Sequence, residues 1–438
     1  MKMMTQASDT IMIKGALIVS MVPGEEPYEG DIAIKGTRIE AMGPELSKQP
    51  GECIHARGMI AMPGLINAHQ HSPMSLLRGF SDDLKLMDWL DRKMLPAEAR
   101  MTPEDIYWGA KLAIAEMIKS GTTAFADMYI HMNEIAEAVQ ESGIRASLTR
   151  GVIGLEDDGG RRLREAIDLI DRWSGKAEGR ITTMMGPHAP YTCPPAMLKE
   201  VLKLAESKRV PIHIHLAETL EESAIIRERY HCTPTQYLHD CGLLDHDHIL
   251  LAHGVHLQQE DIHLLRSIRG GGIAHNPVSN LKLACGIAPI TELLEQGVSI
   301  GLGTDGAGSA TTLDMFAEVR AGAWLQKLAS GDPARFRARQ ALAMSTTGGA
   351  ELLGLGTRVG QLEPGRMADI ILLDLQQPHL QPLHDPFSLL AYAACGSDVH
   401  TTIVNGRVLM RERQLLTIDE PELLQQAAVR AKRITAGL

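Results

Sequence analysis

Two histidines with one residue between them, His69 and His71, close an apolar run that begins at Pro63. Alternate side chains of an extended strand point to the same face, so the two imidazoles project together. Neutral imidazole is the commonest transition-metal ligand, and a pair on one face supplies half of a metal site. An isolated pair is more often two polar residues at a strand end, so the case for a metal depends on ligands elsewhere.

Further metal-binding side chains end other short apolar runs. His215 ends one and is followed by Glu218, His253 ends the next, and Asp305 ends another. Three imidazoles and a carboxylate suit a borderline metal such as Zn²⁺ or Fe²⁺, and zinc lowers the pKa of a bound water to about 7. Glu218 is then placed to carry protons, His253 to hydrogen-bond an oxyanion, and Asp305 to bind the metal and accept a proton.

The middle of the chain alternates short apolar runs with longer helical segments. The predicted strands end near His69, Asp127, Arg150, His188, His215, His253, Asn276 and Asp305. The helical segments include 103–119, 132–142, 195–208, 234–241 and 290–295. This alternation predicts a (β/α)8 TIM barrel, whose active site lies at the C-terminal strand ends. The alternative is a doubly wound sheet, which would carry a Gly-rich phosphate loop that the sequence lacks.

Both ends of the chain are rich in strand-forming residues, many of them β-branched. The segments concerned are 11–15, 32–36, 368–373 and 400–406. Two separate hairpins would bury little apolar surface, so the ends are predicted to form one small β-sandwich. The predicted organisation is residues 1–60 as its N-terminal part, 61–365 as the metal-dependent catalytic barrel, and 366–438 as its C-terminal part with a terminal helix.

Composition narrows the class of protein. Of the 438 residues, 44% are hydrophobic and 22% charged, as in ordinary globular proteins. The net charge of −11 and the aromatic content of 4% argue against nucleic-acid binding. No stretch approaches the roughly 20 apolar residues of a membrane span, and no signal-peptide pattern opens the chain. Six scattered cysteines fit a reduced protein. We expect a cytoplasmic enzyme with a small-molecule substrate, no membrane or nucleic-acid partner, and a homo-oligomeric state to be tested.

Four landmarks carry a family resemblance: Pro63-Gly64-Leu65-Ile66-Asn67-Ala68-His69-Gln70-His71, His215, His253 and Thr304-Asp305-Gly306. Together they resemble the amidohydrolase superfamily. Within it, nearly the whole chain resembles the 5-methylthioadenosine/S-adenosylhomocysteine deaminases. The segments that carry this closer likeness are Leu76-Leu77-Arg78-Gly79, Leu95-Pro96-Ala97-Glu98, Asp157-Asp158-Gly159-Gly160-Arg161, Gly186-Pro187-His188-Ala189-Pro190-Tyr191 and His275-Asn276-Pro277-Val278-Ser279-Asn280-Leu281-Lys282-Leu283.

The resemblance implies a metal centre. One divalent ion per chain, Zn²⁺ with Fe²⁺ as the alternative, would be bound by His69, His71, His215 and Asp305. A single ion is expected because predicted strand four ends at His188, where the two-metal branch of the superfamily carries a bridging lysine.

The resemblance also implies substrate contacts. Glu98 would bind the ribose hydroxyls, because a carboxylate accepts hydrogen bonds from hydroxyl donors. His188 and Glu218 would meet the purine. Arg150 and Arg161 would lie near the tail on the 5′ carbon, where a guanidinium holds a carboxylate. The sequence alone leaves structural roles open for Glu98 as a helix acid, Arg150 as a strand cap and Arg161 as part of a solvated helix start.

The expected reaction is hydrolytic deamination at C6 of an adenine ring. Glu218 would protonate the adjacent ring nitrogen, and Asp305, also a substrate contact, would pass a proton to the departing ammonia. The alternatives are a triazine hydrolase, a guanine-type aminohydrolase and an inactive barrel that serves as a binding module. In residues 307–312 the chain reads Ala-Gly-Ser-Ala-Thr-Thr, where the family usually shows paired asparagines, so the exact nucleoside stays open.

Overall fold

The protein is described by a computed structural model that covers residues 10–47, 51–155 and 158–438. Asp157 of the quoted likeness lies outside these residues. The strands are β1 Thr10–Ile18, β2 Tyr28–Lys35, β3 Arg38–Gly43, β4 Glu52–His55, β5 Met59–Pro63, β6 Leu65–Gln70, β7 Thr122–Tyr129, β8 Arg145–Val152, β9 Ile181–Pro187, β10 Ile212–Leu216, β11 Ile249–His253, β12 Gly271–His275, β13 Ile300–Leu302, β14 Ile370–Asp374, β15 Val399–Val404, β16 Arg407–Arg411 and β17 Gln414–Leu415.

The α-helices connect and cover these strands. They are α1 Leu86–Trp89, α2 Leu95–Glu98, α3 Pro103–Lys119, α4 Met132–Ser142, α5 Arg161–Trp173, α6 Lys176–Gly179, α7 Pro195–Lys208, α8 Leu220–Tyr230, α9 Pro234–Asp240, α10 Gln259–Leu265, α11 Pro277–Lys282, α12 Ile290–Glu295, α13 Ala307–Ala310, α14 Met315–Ser330, α15 Ala338–Ala343, α16 Gly349–Leu352, α17 Pro386–Tyr392 and α18 Glu420–Thr435. Among the described residues, none of these helices combines the length and the apolar character needed to cross a bilayer.

Strands β6 to β13 form one sheet in chain order, and each is parallel to its neighbour. The two edge strands of this sheet are β6 and β13, and two further hydrogen bonds link β6 to the segment just after β13. The Asp305 N–H donates to the His69 carbonyl at 2.9 Å, and the Thr304 N–H donates to Asn67 Oδ1 at 3.0 Å. Bonds between the first and last strands bring the sheet to a nearly closed ring, which confirms the predicted TIM barrel.

Local start signals place the barrel helices where the sequence predicts them. Helix α3 follows Thr102, whose hydroxyl accepts the Asp105 N–H while the Asp105 carboxylate accepts the Thr102 N–H. Each of these two bonds pairs a polar backbone group that the first helical turn would otherwise leave unsatisfied. Helices α3 and α7 begin at prolines, which suit the first helical position because its N–H has no partner within the helix.

The two ends of the chain share a second, mixed sheet of nine strands. Strand β5 pairs with β14 antiparallel and so joins the N-terminal strands to the C-terminal ones. Side chains alternate along β14: Ile370 and Leu372 pack into a core with Ile13 and Ile32, while Leu373 packs into the larger core with the barrel helices. This arrangement confirms a barrel with a small β-domain from both termini. The exact limits at residues 60, 365 and 366 stay predictions.

Candidate active site

The C-terminal ends of the barrel strands bring the predicted imidazoles together. His71 Nδ1 donates to the Met128 carbonyl at 2.6 Å, and His215 Nδ1 donates to the His188 carbonyl at 2.7 Å. Because a carbonyl only accepts, these bonds place a proton on Nδ1, and in the neutral ring, the form that binds a metal, the lone pair then lies on Nε2. The two Nε2 atoms lie 3.4 Å apart. The backbone therefore orients both rings toward one central point.

Asp305 faces the same point from the end of the last barrel strand. Its Oδ1 lies 3.2 Å from His71 Nε2 and 3.7 Å from His69 Nε2. Its Oδ2 accepts hydrogen bonds from the hydroxyls of Ser279 at 2.6 Å and Ser309 at 2.9 Å. The backbone of Asp305 has a φ of 63°, a left-handed conformation that is costly for a residue with a side chain and is found at functional sites.

His69 supplies the clearest sign that this cluster suits a metal. Its side chain is fully buried, and its Nε2 has no hydrogen-bond partner within the described residues. An unpaired buried nitrogen is costly unless an ion completes it. Ligand atoms of His69, His71 and Asp305 lie within 4.8 Å of one another, as do those of His69, His215 and His253. Burial, together with the neighbouring imidazoles, holds the pKa of His69 well below its usual value, which keeps the ring in the neutral form that binds metals.

Glu218 and His253 line the open side of the cluster. Glu218 Oε2 lies 3.8 Å from His253 Nε2, and burial raises the pKa of Glu218 against the opposing effect of His253. The carboxylate of Glu222 accepts the backbone N–H groups of Ala217 at 3.1 Å and Glu218 at 2.9 Å, which fixes this turn. His253 Nδ1 contacts Asn280 Oδ1 at 2.9 Å. The site thus holds a carboxyl group with a raised pKa, as general acid catalysis requires.

A cavity of about 290 Å³ opens above these groups. Apolar side chains such as Trp89 and Leu90 form one wall. Glu98 stands in another, and the hydroxyl of Tyr129 donates to its Oε1 at 2.5 Å. Burial raises the pKa of Glu98 despite that bond. An apolar chamber with a few convergent polar groups is the usual form of a small-molecule site.

Comparison with known proteins decides the family. Residues 60–409 match the amidohydrolase family. This chain belongs to that family. It is 49% identical to the 5-methylthioadenosine/S-adenosylhomocysteine deaminase of Pelotomaculum thermopropionicum, over 97% of this chain and 98% of the relative. The chain is thus an amidohydrolase-family enzyme of the aminohydrolase type.

Solved structures share the fold. An adenosine deaminase from Xanthomonas campestris with bound zinc is 33% identical and superposes with a TM-score of 0.94, covering 98% of this chain and 99% of that one. Atrazine chlorohydrolase from Arthrobacter aurescens, complexed with zinc, is 27% identical with a TM-score of 0.90, covering 96% and 100%. Zinc in both neighbours agrees with the ligand types gathered in this amidohydrolase.

The predicted tail-binding arginines lie in different places. Arg150 lines the cavity, only 7% of its side chain is exposed, and its Nε donates to Glu165 at 2.8 Å. The Arg161 side chain is 57% exposed and also pairs with Glu165, but it lines an adjacent surface hollow rather than the cavity. Arg162, which the sequence analysis did not select, lines the cavity instead. Successive residues of a helix point about 100° apart, and here Arg162 lines the cavity while Arg161 lines the adjacent hollow.

Other side chains at the site also escaped sequence reasoning. Tyr129 reads as an apolar strand residue, yet it holds Glu98, and Ser309 lies in the segment that departs from the family pattern, yet it holds Asp305. His188, which is predicted to meet the purine, lines the cavity, and burial lowers its pKa to about 4. These contacts arise because the ends of different strands lie side by side in the barrel. The spacing of residues along the chain does not predict which of these ends are neighbours.

Proposed function

We propose that this amidohydrolase removes the 6-amino group of adenine nucleosides by hydrolysis and releases ammonia. The substrates are S-adenosylhomocysteine, converted to S-inosylhomocysteine, and 5-methylthioadenosine, converted to 5-methylthioinosine, with adenosine and 5-deoxyadenosine as further candidates. The observation that carries the proposal is one cavity that joins the His–Asp cluster to Glu98 and to Arg150. The likeness, over nearly the full length of the chain, to a relative named 5-methylthioadenosine/S-adenosylhomocysteine deaminase supports this proposal.

The proposed ligands of one divalent metal, zinc in the first place, are His69, His71, His215 and Asp305. Such a metal supplies an acidified water as the nucleophile near neutral pH. His253 Nε2 is free to accept a hydrogen bond from that water, because its Nδ1 contacts Asn280. His188, whose carbonyl holds His215, lies beside the cluster with its ring 4.8 Å from that of His215 and meets the purine edge.

Glu218 performs the proton transfer in this proposal. Its raised pKa favours the protonated form, which donates to the ring nitrogen next to C6 as the water attacks. The nitrogen then carries the proton, and negative charge does not build up on the ring. The proton left on the C6 oxygen would return to Glu218, while Asp305 would accept a proton from the attacking water and give it to the departing amino group, which leaves as ammonia. The hydroxyl bonds from Ser279 and Ser309 hold that carboxylate in place.

Recognition of the sugar and its tail uses the far side of the cavity. The Glu98 carboxylate, oriented by Tyr129, accepts the two ribose hydroxyls. Arg150 and Arg162 supply positive charge for the carboxylate of the homocysteine tail. A flat triazine or guanine needs neither contact, and this distinguishes the nucleoside proposal from those alternatives.

The experiment that tests the function is ammonia release from a matched set of compounds. The set contains adenosine, 5-deoxyadenosine, 5-methylthioadenosine, S-adenosylhomocysteine, guanine and an aminated triazine. We expect turnover of the adenine nucleosides alone. Glu98→Gln should weaken all ribose-bearing substrates together, since the hydroxyls are common to them. Efficient turnover of the triazine, with nucleosides untouched by the Glu98 change, would replace this function by the triazine alternative.

A cytoplasmic location and a homo-oligomeric state are further proposals. All six cysteines are free thiols, as expected in a reducing compartment. Trp324 and Leu328, one turn apart on α14, are 56% and 75% exposed, an apolar pair that a second copy would cover. Light scattering on the purified chain tests the oligomeric state, and a monomer at micromolar concentration would contradict it.

A further inference from the structure

A second layer of side chains lies behind the proposed metal ligands, inside the barrel. His213 Nε2 lies 2.9 Å from His69 Nδ1, and both rings are fully buried. On its other side, His213 Nδ1 lies 3.4 Å from Thr149 Oγ1. Thr149, His213 and His69 thus form a buried line of polar groups that ends at the metal-binding cluster.

Which group donates and which accepts in each hydrogen bond of this line follows from its free end, His69 Nε2. His69 Nε2 must carry a lone pair if it is to bind a metal, so the ring proton sits on Nδ1. His213 Nε2 therefore accepts that proton's hydrogen bond and must itself be unprotonated. The proton of His213 is left on Nδ1, which faces the Thr149 hydroxyl. Each ring thus fixes the tautomer of the next.

His69 differs from the other two histidines in the group that its Nδ1 contacts. The corresponding Nδ1 atoms of His71 and His215 donate to carbonyl oxygens at strand ends. His69 lies within β6, two residues before His71, and its Nδ1 faces a side-chain nitrogen instead, His213 Nε2 at 2.9 Å. Gly186 makes room for the line, because a Cβ there would lie 2.4 Å from Thr149 Cγ2.

We propose that His213 is a positioning residue that fixes the tautomer and the orientation of His69 for metal binding, with Thr149 as the end of the line. The inference rests on the proposed metal ligands, but it does not depend on the identity of the substrate. His213 itself touches neither the cavity nor the reacting atoms. Its effect is therefore expected in metal affinity first, and in turnover only as far as metal is lost.

The test compares zinc affinity, measured by competition with a chromophoric chelator, in the full-length chain and three variants. His213→Leu removes the acceptor, so His69 can move its proton to Nε2, and affinity should fall about 10–100-fold, as when a residue hydrogen-bonded to a ligand is lost. His213→Gln places an amide oxygen near the former Nε2 and should restore most of the affinity. Thr149→Val leaves the acceptor in place and should cost only a few-fold.

The matched control is His275→Leu. His275 is a fully buried histidine near the end of β12, and its ring nitrogens have no hydrogen-bond partner among the described residues. This change removes the same volume without touching a ligand, so zinc affinity should stay at the wild-type value. Thermal unfolding of each metal-free variant shows whether it is folded. Should His213→Leu fail to fold, His213→Gln and Thr149→Val still give graded predictions.

Two results would overturn the inference. One is wild-type zinc affinity in His213→Leu. The other is a loss in His213→Gln as large as that in His213→Leu, which would show that the ring acts only by its shape. These failures are distinguishable from failure of the proposed function. Wild-type protein that binds zinc tightly and deaminates no nucleoside overturns the function alone, while wild-type protein that binds no divalent metal overturns both.

Discussion

At the scale of single residues, the site depends on polar groups whose environment sets their protonation. His71 and His215 are fixed by carbonyl acceptors, and Glu218 has a raised pKa because it is buried. The sequence shows these residues because each is a polar side chain that ends an apolar run. The bonds that fix the two rings escape it, since Met128 and His188 make them through backbone oxygen atoms, which have no signature in the side-chain pattern.

The first prediction concerns proton transfer. Glu218→Gln keeps the size and hydrogen-bonding capacity of the side chain but cannot give up a proton. General acid–base groups contribute about 10²–10⁴-fold to rates, so kcat should fall by at least about 10²-fold. Metal content, measured by elemental analysis, should not change. Near-normal turnover would restrict Glu218 to shaping the pocket.

A second prediction separates the arginines. Arg150→Ala and Arg162→Ala should each lower kcat/KM for S-adenosylhomocysteine about 10- to 100-fold relative to 5-methylthioadenosine, because a hydrogen bond to a charged group contributes about 1.5–3 kcal/mol. Arg161→Ala is the matched control. Its side chain is exposed and outside the cavity, so selectivity should stay unchanged. Equal losses on both substrates would give Arg150 and Arg162 a structural role.

At the scale of elements, the sequence predicts where most helices begin and end, but it does not predict which side of a helix faces the cavity. Helices α3, α4, α7 and α12 have the predicted bounds, and α9 ends one residue early. Prolines mark the starts of α3, α7 and α9. Whether Arg161 or Arg162 faces the cavity depends on the exact point at which α5 begins. That point follows Gly159 and Gly160, which both have positive φ and so allow more than one course of the chain, and the sequence alone could not choose between the two arginines.

The N-terminus of α3 gives a prediction about pH. Burial raises the pKa of Asp105, but hydrogen bonds from Arg433, Thr102 and Arg430 outweigh it and lower the pKa to about 2. In the unfolded chain the value returns to about 3.9. A depressed pKa stabilises the fold above the unfolded value, so the contribution is complete above about pH 4 and disappears as the pH falls to about 2.

Asp105→Asn should therefore lower the melting temperature near neutral pH, because α3 and α18 lose the charge that joins them. The difference from wild type should shrink as the pH falls from about 4 to about 2. Calorimetry of the metal-free proteins across that range measures it. A constant difference would show that the charge of Asp105 is not what the helices use.

At the scale of the whole molecule, two sheets built from different parts of the chain have to be held together. The sequence predicts both, because periodicity separates the barrel from the strand-rich ends, but it cannot show which residues join them. Arg145, at the start of β8, donates from Nε to Asp369 Oδ2 at 2.9 Å and from Nη2 to Oδ1 at 3.0 Å. Both side chains are almost fully buried. In the sequence they look like ordinary surface charges.

Removing one partner of this buried pair should be costly. Asp369→Ala leaves the Arg145 charge uncompensated, and about 3–5 kcal/mol of unfolding free energy should be lost. Denaturant titration measures the change. Asp247→Ala is the control, since its ion pair with Arg269 is exposed and should contribute about 0–1 kcal/mol. A similarly small effect at Asp369 would mean that this ion pair contributes little to joining the two sheets.

The bond from the Asp305 N–H to the His69 carbonyl has a consequence for the order of events during synthesis. The first barrel strand leaves the ribosome long before Asp305 does, so early segments display His69 and His71 without the carboxylate that faces them. Contacts between such distant parts of the chain form late in folding. A nascent chain that stops short of residue 305 thus has neither a nearly closed ring nor the full set of proposed metal ligands. Acquisition of the ion would then mark the completion of the barrel.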